Sequence, residues 1–427
     1  MTDLPASLFR KLLKGRTRST TVIAGGLLIL GVTNYLFLLV AGRVMSDVEY
    51  APLGALWVLV FLAVPGFFFP IEQELSRAIA SRRALDQGAG PVVRRVALLA
   101  LILLGALLVL IAVTTPLTLN RLFDGNGLLY LGLVVALVGM ALGYLARGFL
   151  AGNGRLSAYG LLMAVEGVSR LVLAGVLAIT GIEVAGPYGI LIGIGPMIGV
   201  LIALRGKRAL VDPGPASSWA EASSSLTSLV AASLFAQTLA NAAPLVVKFL
   251  SDATGAVVAA SFTKAVILTR IPLFLFQAVQ AVMLPRLTRL AVSGDYNGFR
   301  SVLRTLLGVV TLTAGLGTVG AWVAGPLLLD WFGSPGGLPR SDIVLLALGS
   351  GVYLVAMVFA QALVAVRGQR STVAGWLSGV AAFVGVVALP GDIVTRTEIA
   401  LIAGANVSAL TMWVLLLARL RTAETAQ

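Results

Sequence analysis

Four cations, Arg170, Lys248, Lys264 and Arg270, fall within or at the ends of long apolar stretches of this chain, and Glu166 is the one clearly central carboxylate. A cation at the centre of a membrane helix costs about 2.5–3.5 kcal/mol to insert, so a cation kept there needs a partner or a use. Guanidinium and ammonium groups suit the oxygens of phosphates. One reading therefore has Arg170, Lys264 and Arg270 lining a water-filled cavity and holding an anionic head group. A second is open for Glu166 and Arg170, whose i, i+4 spacing lets them neutralise each other on one helix face. Lys264 and Arg270 have no carboxylate in their own stretch. They are six residues apart, about 240° around a helix, so at least one is expected to make an interhelical contact. Lys248 is expected to snorkel to the outer interface and pair with Asp252.

Uncharged polar groups join them. Asn34, Gln237, Asn241, Gln277 and Gln280 lie within apolar stretches and can contact sugar hydroxyls or bond neighbouring helices. Pro65, Pro196, Pro244 and Pro272 interrupt helical hydrogen bonding and are candidate hinges or tolerated kinks. Gly25-Gly26 and Gly193-x-Gly195 are expected to serve close helix packing. Glu166 is the clearest central carboxylate and the candidate for proton coupling. Glu72, Glu74 and Arg77 follow the second apolar stretch and read as a solvated helix end, or as guards of an inner gate. The chain has no Cys and no His, which excludes disulfides, thiolate nucleophiles, Ser-His-Asp triads and Cys/His metal sites. There is no Walker A pattern, and no cofactor, metal, nucleotide or nucleic-acid partner is expected.

The elements that carry these residues follow from composition. Of 427 residues, 58% are hydrophobic and 11% charged, and the mean hydropathy is +0.99. Soluble domains run near 45–50% apolar and about 25% charged. The chain reads as an integral membrane protein. A crossing helix needs roughly 20 apolar residues, and twelve stretches qualify: 20–41, 51–71, 96–115, 127–146, 158–180, 186–204, 226–249, 256–283, 302–325, 342–365, 372–391 and 397–418. The fifth and sixth are divided only by Gly181–Ala185. The runs do not alternate every second residue, which excludes a β-barrel. The first is too long for a signal-peptide core, so it reads as an anchor. Ser7–Lys14 reads as a basic tail, or as a short interfacial helix.

Net charge is +13, and most of it is topological. Twenty-three of the 31 Lys and Arg residues fall in the two tails and in alternate loops, against four (Arg43, Arg121, Arg340, Arg396) in the other loops. The positive-inside rule then places both termini in the cytoplasm of a bacterial inner or plasma membrane protein. Arg205–Ser225, with Pro213, Gly214 and Pro215, reads as a linker. The expected domains are a six-helix half at 1–210, a linker at 211–225 and a second half at 226–427. The halves look related: Asn34, Pro65 and Gln73 recur as Asn241, Pro272 and Gln280 at an offset of 207, and Gly154 and Ser157 recur as Gly368 and Ser371 at 214. Six crossings per half make this a parallel repeat about an axis along the membrane normal.

Several segments carry a family resemblance. Ala41–Leu56 resembles the first external loop of polysaccharide flippases of the multidrug/oligosaccharidyl-lipid/polysaccharide (MOP) exporter superfamily, except that Ala51-Pro52 interrupts its Tyr-Gly. Arg270-Ile-Pro-Leu-Phe-Leu-Phe-Gln-Ala-Val-Gln-Ala-Val-Met-Leu-Pro-Arg286 resembles that family's eighth crossing. Arg147–Arg155 and Glu166…Arg170 fit as well. The resemblance implies an all-α membrane protein with twelve helices in two pseudo-symmetric six-helix lobes around a central cavity. It also implies alternating-access movement of a polyprenyl-pyrophosphate-linked oligosaccharide to the outer leaflet for cell-surface polysaccharide synthesis. Expected partners are that lipid-linked substrate, membrane lipids and other polysaccharide-assembly proteins. The alternatives are a small-molecule or drug antiporter of the same superfamily, and a membrane glycosyltransferase or polymerase. The antiporter reading fits less well with central charges that are mainly basic. The enzyme reading lacks sizeable external loops.

Overall fold

The computed structural model describes residues 18–206, 212–219, 226–251 and 255–425. The expected tail segment Ser7–Lys14 lies outside them. Among the described residues every regular element is a helix, and twelve crossings are long and apolar enough to span a membrane. The first half contains α1 (Arg18–Val44), α2 (Asp47–Arg83), α3 (Gly90–Val113), α4 (Gly127–Gly152), α5 (Leu156–Ile179) and α6 (Ala185–Leu204). The second contains α7 (Leu226–Leu250), α8 (Ala256–Thr269), α9 (Ile271–Val292), α10 (Tyr296–Trp331), α11 (Arg340–Ala365), α12 (Gln369–Val387) and α13 (Ile393–Thr425). The fifth and sixth crossings do divide, at a turn where Gly181 takes φ +75°, a conformation that favours glycine.

Two expectations change. The eighth crossing, expected as one helix over 256–283, is two: α8 ends and α9 begins at Arg270, which has φ −96° and ψ 0°. Pro272 explains the break. It has no N–H to give the Leu268 carbonyl, and it suits the first turn of a new helix. Pro65, Pro196 and Pro244, by contrast, sit inside continuous helices. The second change concerns the polar end of the second crossing. The helix runs on to Arg83, and Glu72 and Glu74 are buried rather than solvated.

The packing repeats between halves. In the first half α1 packs on α5, α2 on α4, and α6 on both α4 and α5. The counterparts recur: α7 on α12, the α8–α9 pair on α11, and α13 on both α11 and α12. Glycines permit the closest approaches, as lipid tails offer no hydrophobic drive between helices. Gly26 meets the backbone of Gly160, and Gly195 meets that of Glu166, whereas Gly25 faces open space. Across the halves α2 packs along α7 and on α8. The described part of the linker lies against the α2–α3 turn: Arg82 donates to the carbonyls of Pro215 (2.7 Å) and Ala216 (3.3 Å), and Gly90 N–H to that of Asp212 (2.8 Å).

A Cβ at Gly148 would sit 2.7 Å from the Glu72 carbonyl oxygen and 3.0 Å from its Cα, whereas Gly105 has open space around it. Gly148→Val is therefore expected to destabilise the α2–α4 packing by about 2 kcal/mol or more, the cost of overpacking against rigid backbone. Gly105→Ala is expected to leave the thermal melt of the detergent-purified protein unchanged or slightly raised.

Candidate functional site

The buried charges fall into three groups. The first lies within the amino-terminal half. Arg170 on α5 is fully buried. It contacts Glu166 one turn earlier (3.3 Å), donates to the Asn34 side chain on α1, and donates to the Ile192 carbonyl on α6 (3.2 Å). Its guanidinium also lies 5.7 Å from the centre of the Trp57 ring. The Ile192 carbonyl is free because Pro196, four residues on, has no N–H to offer it. The proline thus exposes an acceptor and the arginine takes it. Nearby, Glu72 accepts from the Tyr159 hydroxyl (2.8 Å) and faces Arg147 (3.6 Å), whose guanidinium lies 3.9 Å from the Tyr144 ring centre. The Arg147–Glu72 pair was hidden in the sequence because both residues sit at the ends of apolar runs. Two cations and two carboxylates leave this cluster without net charge.

The second group lies at the end of the interface between the halves that carries the α1–α2 turn and the loop after α10. Lys264 on α8 is fully buried. Its ammonium donates to Asp47 at the start of α2 (2.8 Å), to Ser334 (2.9 Å) and to the Gly333 carbonyl (3.1 Å), and lies 4.5 Å from the Tyr50 ring centre. Ser334 donates to the same Asp47 oxygen (2.8 Å). Alongside, Arg43 donates to the Trp331 carbonyl and stacks on the Trp331 ring, while Gly42 abuts Phe332 and Gly333. Lys264 and Arg270 both make interhelical contacts, Lys264 to Asp47 on α2 and Arg270 to Asn241 on α7. Lys248 is ion-paired too, with Asp124 (2.7 Å); Asp252, the partner expected for it, lies outside the described residues. Asp124 arrives through a π-helical turn at Thr118–Leu122 that closes the third crossing.

The third group is Arg270. At the α8–α9 break it is partly exposed, and it donates to Asn241 on α7 (2.8 Å). The tyrosines Tyr35 and Tyr353 lie within electrostatic reach. Their hydroxyls are held by the carbonyls of Ile267 (3.0 Å) and Ala236 (3.1 Å). Among the described residues no carboxylate pairs with Arg270. By helical rise it lies about 21 Å from the amino-terminal end of α8, in the middle of the eighth crossing. Asn241 also donates to Gln237 (3.0 Å) and to the Phe61 carbonyl (3.4 Å), another acceptor exposed by a proline four residues on, here Pro65.

The structure therefore brings Asn34, Glu166 and Arg170 together, and separately Gln237, Asn241 and Arg270. It does not bring the three cations to one point. The side chains of Gln277 and Gln280, on α9, lie outside the described residues. Asp47, Tyr35, Tyr353, Ser334 and the buried Glu398 escaped the reading of the residues, since their roles depend on contacts distant in sequence.

No protein-family profile matches the chain. Rv1510, an uncharacterized protein of Mycobacterium tuberculosis H37Rv, is 30% identical over 312 residues, covering 70% of this chain and 69% of its own. Rv3630, an uncharacterized protein of the same strain, is 28% identical over 391 residues, covering 88% and 86%. Among solved structures, an inward-facing multidrug resistance MATE family transporter of the MOP superfamily superposes with TM-score 0.72 at 14% identity, over 91% of this chain and 95% of its own. Its outward-facing counterpart gives 0.67 at 17%, over 96% of each. The Vibrio cholerae MATE transporter VcmN in the bent form gives 0.63 at 14%, over 96% and 99%. The fold is that of these twelve-helix membrane proteins.

Removing one partner of a buried ion pair costs about 3–5 kcal/mol. Lys264→Met is expected to lower stability on that scale, with part of the loss recovered in Lys264→Met/Asp47→Asn. A double-mutant cycle on thermal or denaturant unfolding measures the coupling, and additive effects would show that the pair carries none.

Proposed function

The chain belongs to the same family as Rv1510 of Mycobacterium tuberculosis, and we propose that it is a transporter that flips a polyprenyl-pyrophosphate-linked oligosaccharide from the cytoplasmic to the outer leaflet. One observation carries the substrate class: Arg270 is a mid-membrane cation at the contact of the two halves, with no carboxylate to neutralise it among the described residues. An anionic head group supplies the missing charge. The guanidinium presents paired donors suited to pyrophosphate oxygens. Asn241 holds the guanidinium in place, and Tyr35, Gln237 and Tyr353 offer hydroxyl and amide groups for the first sugar. The polyprenyl tail stays in lipid throughout. Arg170 and Lys264, each already paired, serve as a structural strut and an outer closure.

In this account the Lys264–Asp47–Ser334 contact holds the outer end shut while substrate enters from the cytoplasmic side. Opening outward requires it to part. The α8–α9 break at Pro272 is the hinge favoured among the four prolines, because the helix is already divided there. A membrane potential, inside negative, favours outward movement of an anion by about 2.3 kcal/mol per charge at 100 mV. The drug-antiporter reading shares this fold. Its cationic substrates would meet an unneutralised arginine at the interface, which disfavours them.

The test is leaflet translocation of a fluorescent polyprenyl-pyrophosphate oligosaccharide in proteoliposomes. Wild type is expected to translocate it, Arg270→Ala to lose at least about tenfold in rate, equivalent to about 1.4 kcal/mol, and Arg270→Lys to recover part. Normal rates in Arg270→Ala would remove the site assignment. Transport of organic cations with no translocation of the lipid would support the antiporter instead.

A further inference from the structure

Glu398 lies in the first turns of α13, about 8 Å below its outer end by helical rise. Its side chain is fully buried, and among the described residues neither carboxylate oxygen has a hydrogen-bond partner. The buried carboxylates of the other half are different: Glu72 faces Arg147 and Tyr159, and Glu166 faces Arg170. The neighbourhood of Glu398 offers nothing similar. One turn inward, Leu401 and Ile402 pack on Gly349 of α11. Beside Glu398, Thr397 gives its hydroxyl hydrogen to the Ile393 carbonyl (2.6 Å).

The charged groups around it can be named element by element. On α11 they are Arg340 and Asp342. On α13 they are Arg396, which donates to the Leu389 carbonyl (2.8 Å), and Asp392 at the head of the helix. On α12 the one candidate is Arg370 at the far, inner end, and on α7 it is Lys248, taken by Asp124. Among the described residues neither Arg340, which lies over the Trp322 ring, nor Arg396 forms an ion pair with Glu398, and the nearby charges include the two carboxylates Asp342 and Asp392. Both have the wrong sign to steady an anion, and both lie toward the outer surface, where they concentrate cations.

An ionised carboxylate that is buried with no donor and no counter-charge costs several kcal/mol. The species compatible with this packing is the neutral acid. We propose that Glu398 is a proton-binding site of the carboxyl-terminal half, loaded from the external face through the Asp342–Asp392 mouth. Its protonated form packs against α11, and loss of the proton loosens the α11–α13 contact. That gives the half opposite the Arg170 cluster a group whose charge state responds to external pH. The proposal does not depend on which substrate the protein carries.

The test uses the full-length protein in liposomes and dicyclohexylcarbodiimide, an apolar reagent that adds to protonated carboxyls, with the adduct located by mass spectrometry. Glu398 is expected to be labelled in acidic buffer, with labelling falling about tenfold per pH unit once the group ionises. Replacing choline by sodium or potassium at fixed pH should leave labelling unchanged, and Glu398→Gln should lack the adduct. A second readout is thermal stability. Glutamine mimics the neutral acid, so wild type and Glu398→Gln should melt together in acid. Wild type should melt lower in alkaline buffer, because an unpartnered charge then appears. Absence of a Glu398 adduct at every pH, protection by sodium or potassium, or a wild-type-to-Gln difference independent of pH would each overturn the proposal.

Discussion

A charge carried into hydrocarbon has to be matched or neutralised, and the structure is organised by how its cations are matched. Arg170 has Glu166, Arg147 has Glu72, Lys264 has Asp47 and Lys248 has Asp124. Each pairing ties two segments together, so neutralisation and packing are one act. Arg170 gathers α1, α5 and α6, and Lys264 joins α8 to α2 and to the loop after α10. Arg270 stands outside this pattern. It is held by an amide rather than a carboxylate, at the point where the eighth crossing breaks. An unmatched cation has a use only if something anionic comes to it, and the functional reading follows from that.

The two halves show how a repeat is adapted. Asn34 and Asn241 occupy equivalent places, and each accepts from an arginine. In the first half that arginine comes from α5 with a glutamate one turn away, and the result is a sealed, neutral core. In the second it comes from the α8–α9 junction, without a carboxylate and with partial exposure. Prolines help in both. Pro196 leaves the Ile192 carbonyl for Arg170, and Pro65 leaves the Phe61 carbonyl for Asn241. Residues expected as hinges act here as means of presenting acceptors inside a membrane, where no water can serve.

The twelve crossings were legible because apolar length is a local property and the loop charges alternate with it. The Glu166–Arg170 pair was legible for the same reason, being an i, i+4 contact. The partners of Lys264 and Lys248 were not, since Asp47 and Asp124 are far away in sequence and arrive through tertiary packing. Glu398 stands one residue inside the last apolar run, 397–418, so the sequence places it at the water boundary. The helix starts at Ile393, and burial by α11 takes the carboxyl out of water. The break at Arg270 was hidden by an unbroken apolar run, although Pro272 marked it.

The central claim is that the unmatched charge of Arg270 selects an anionic lipid head group. It is tested most directly by equilibrium binding to the purified protein, with a polyprenyl pyrophosphate and tetraphenylphosphonium as contrasting ligands. The account predicts binding of the pyrophosphate lipid and weak or no binding of the organic cation. It also predicts that Arg270→Ala weakens the lipid's affinity by about tenfold or more, the loss of one charge-assisted contact. Tight binding of tetraphenylphosphonium, or a pyrophosphate affinity unchanged in Arg270→Ala, would contradict it.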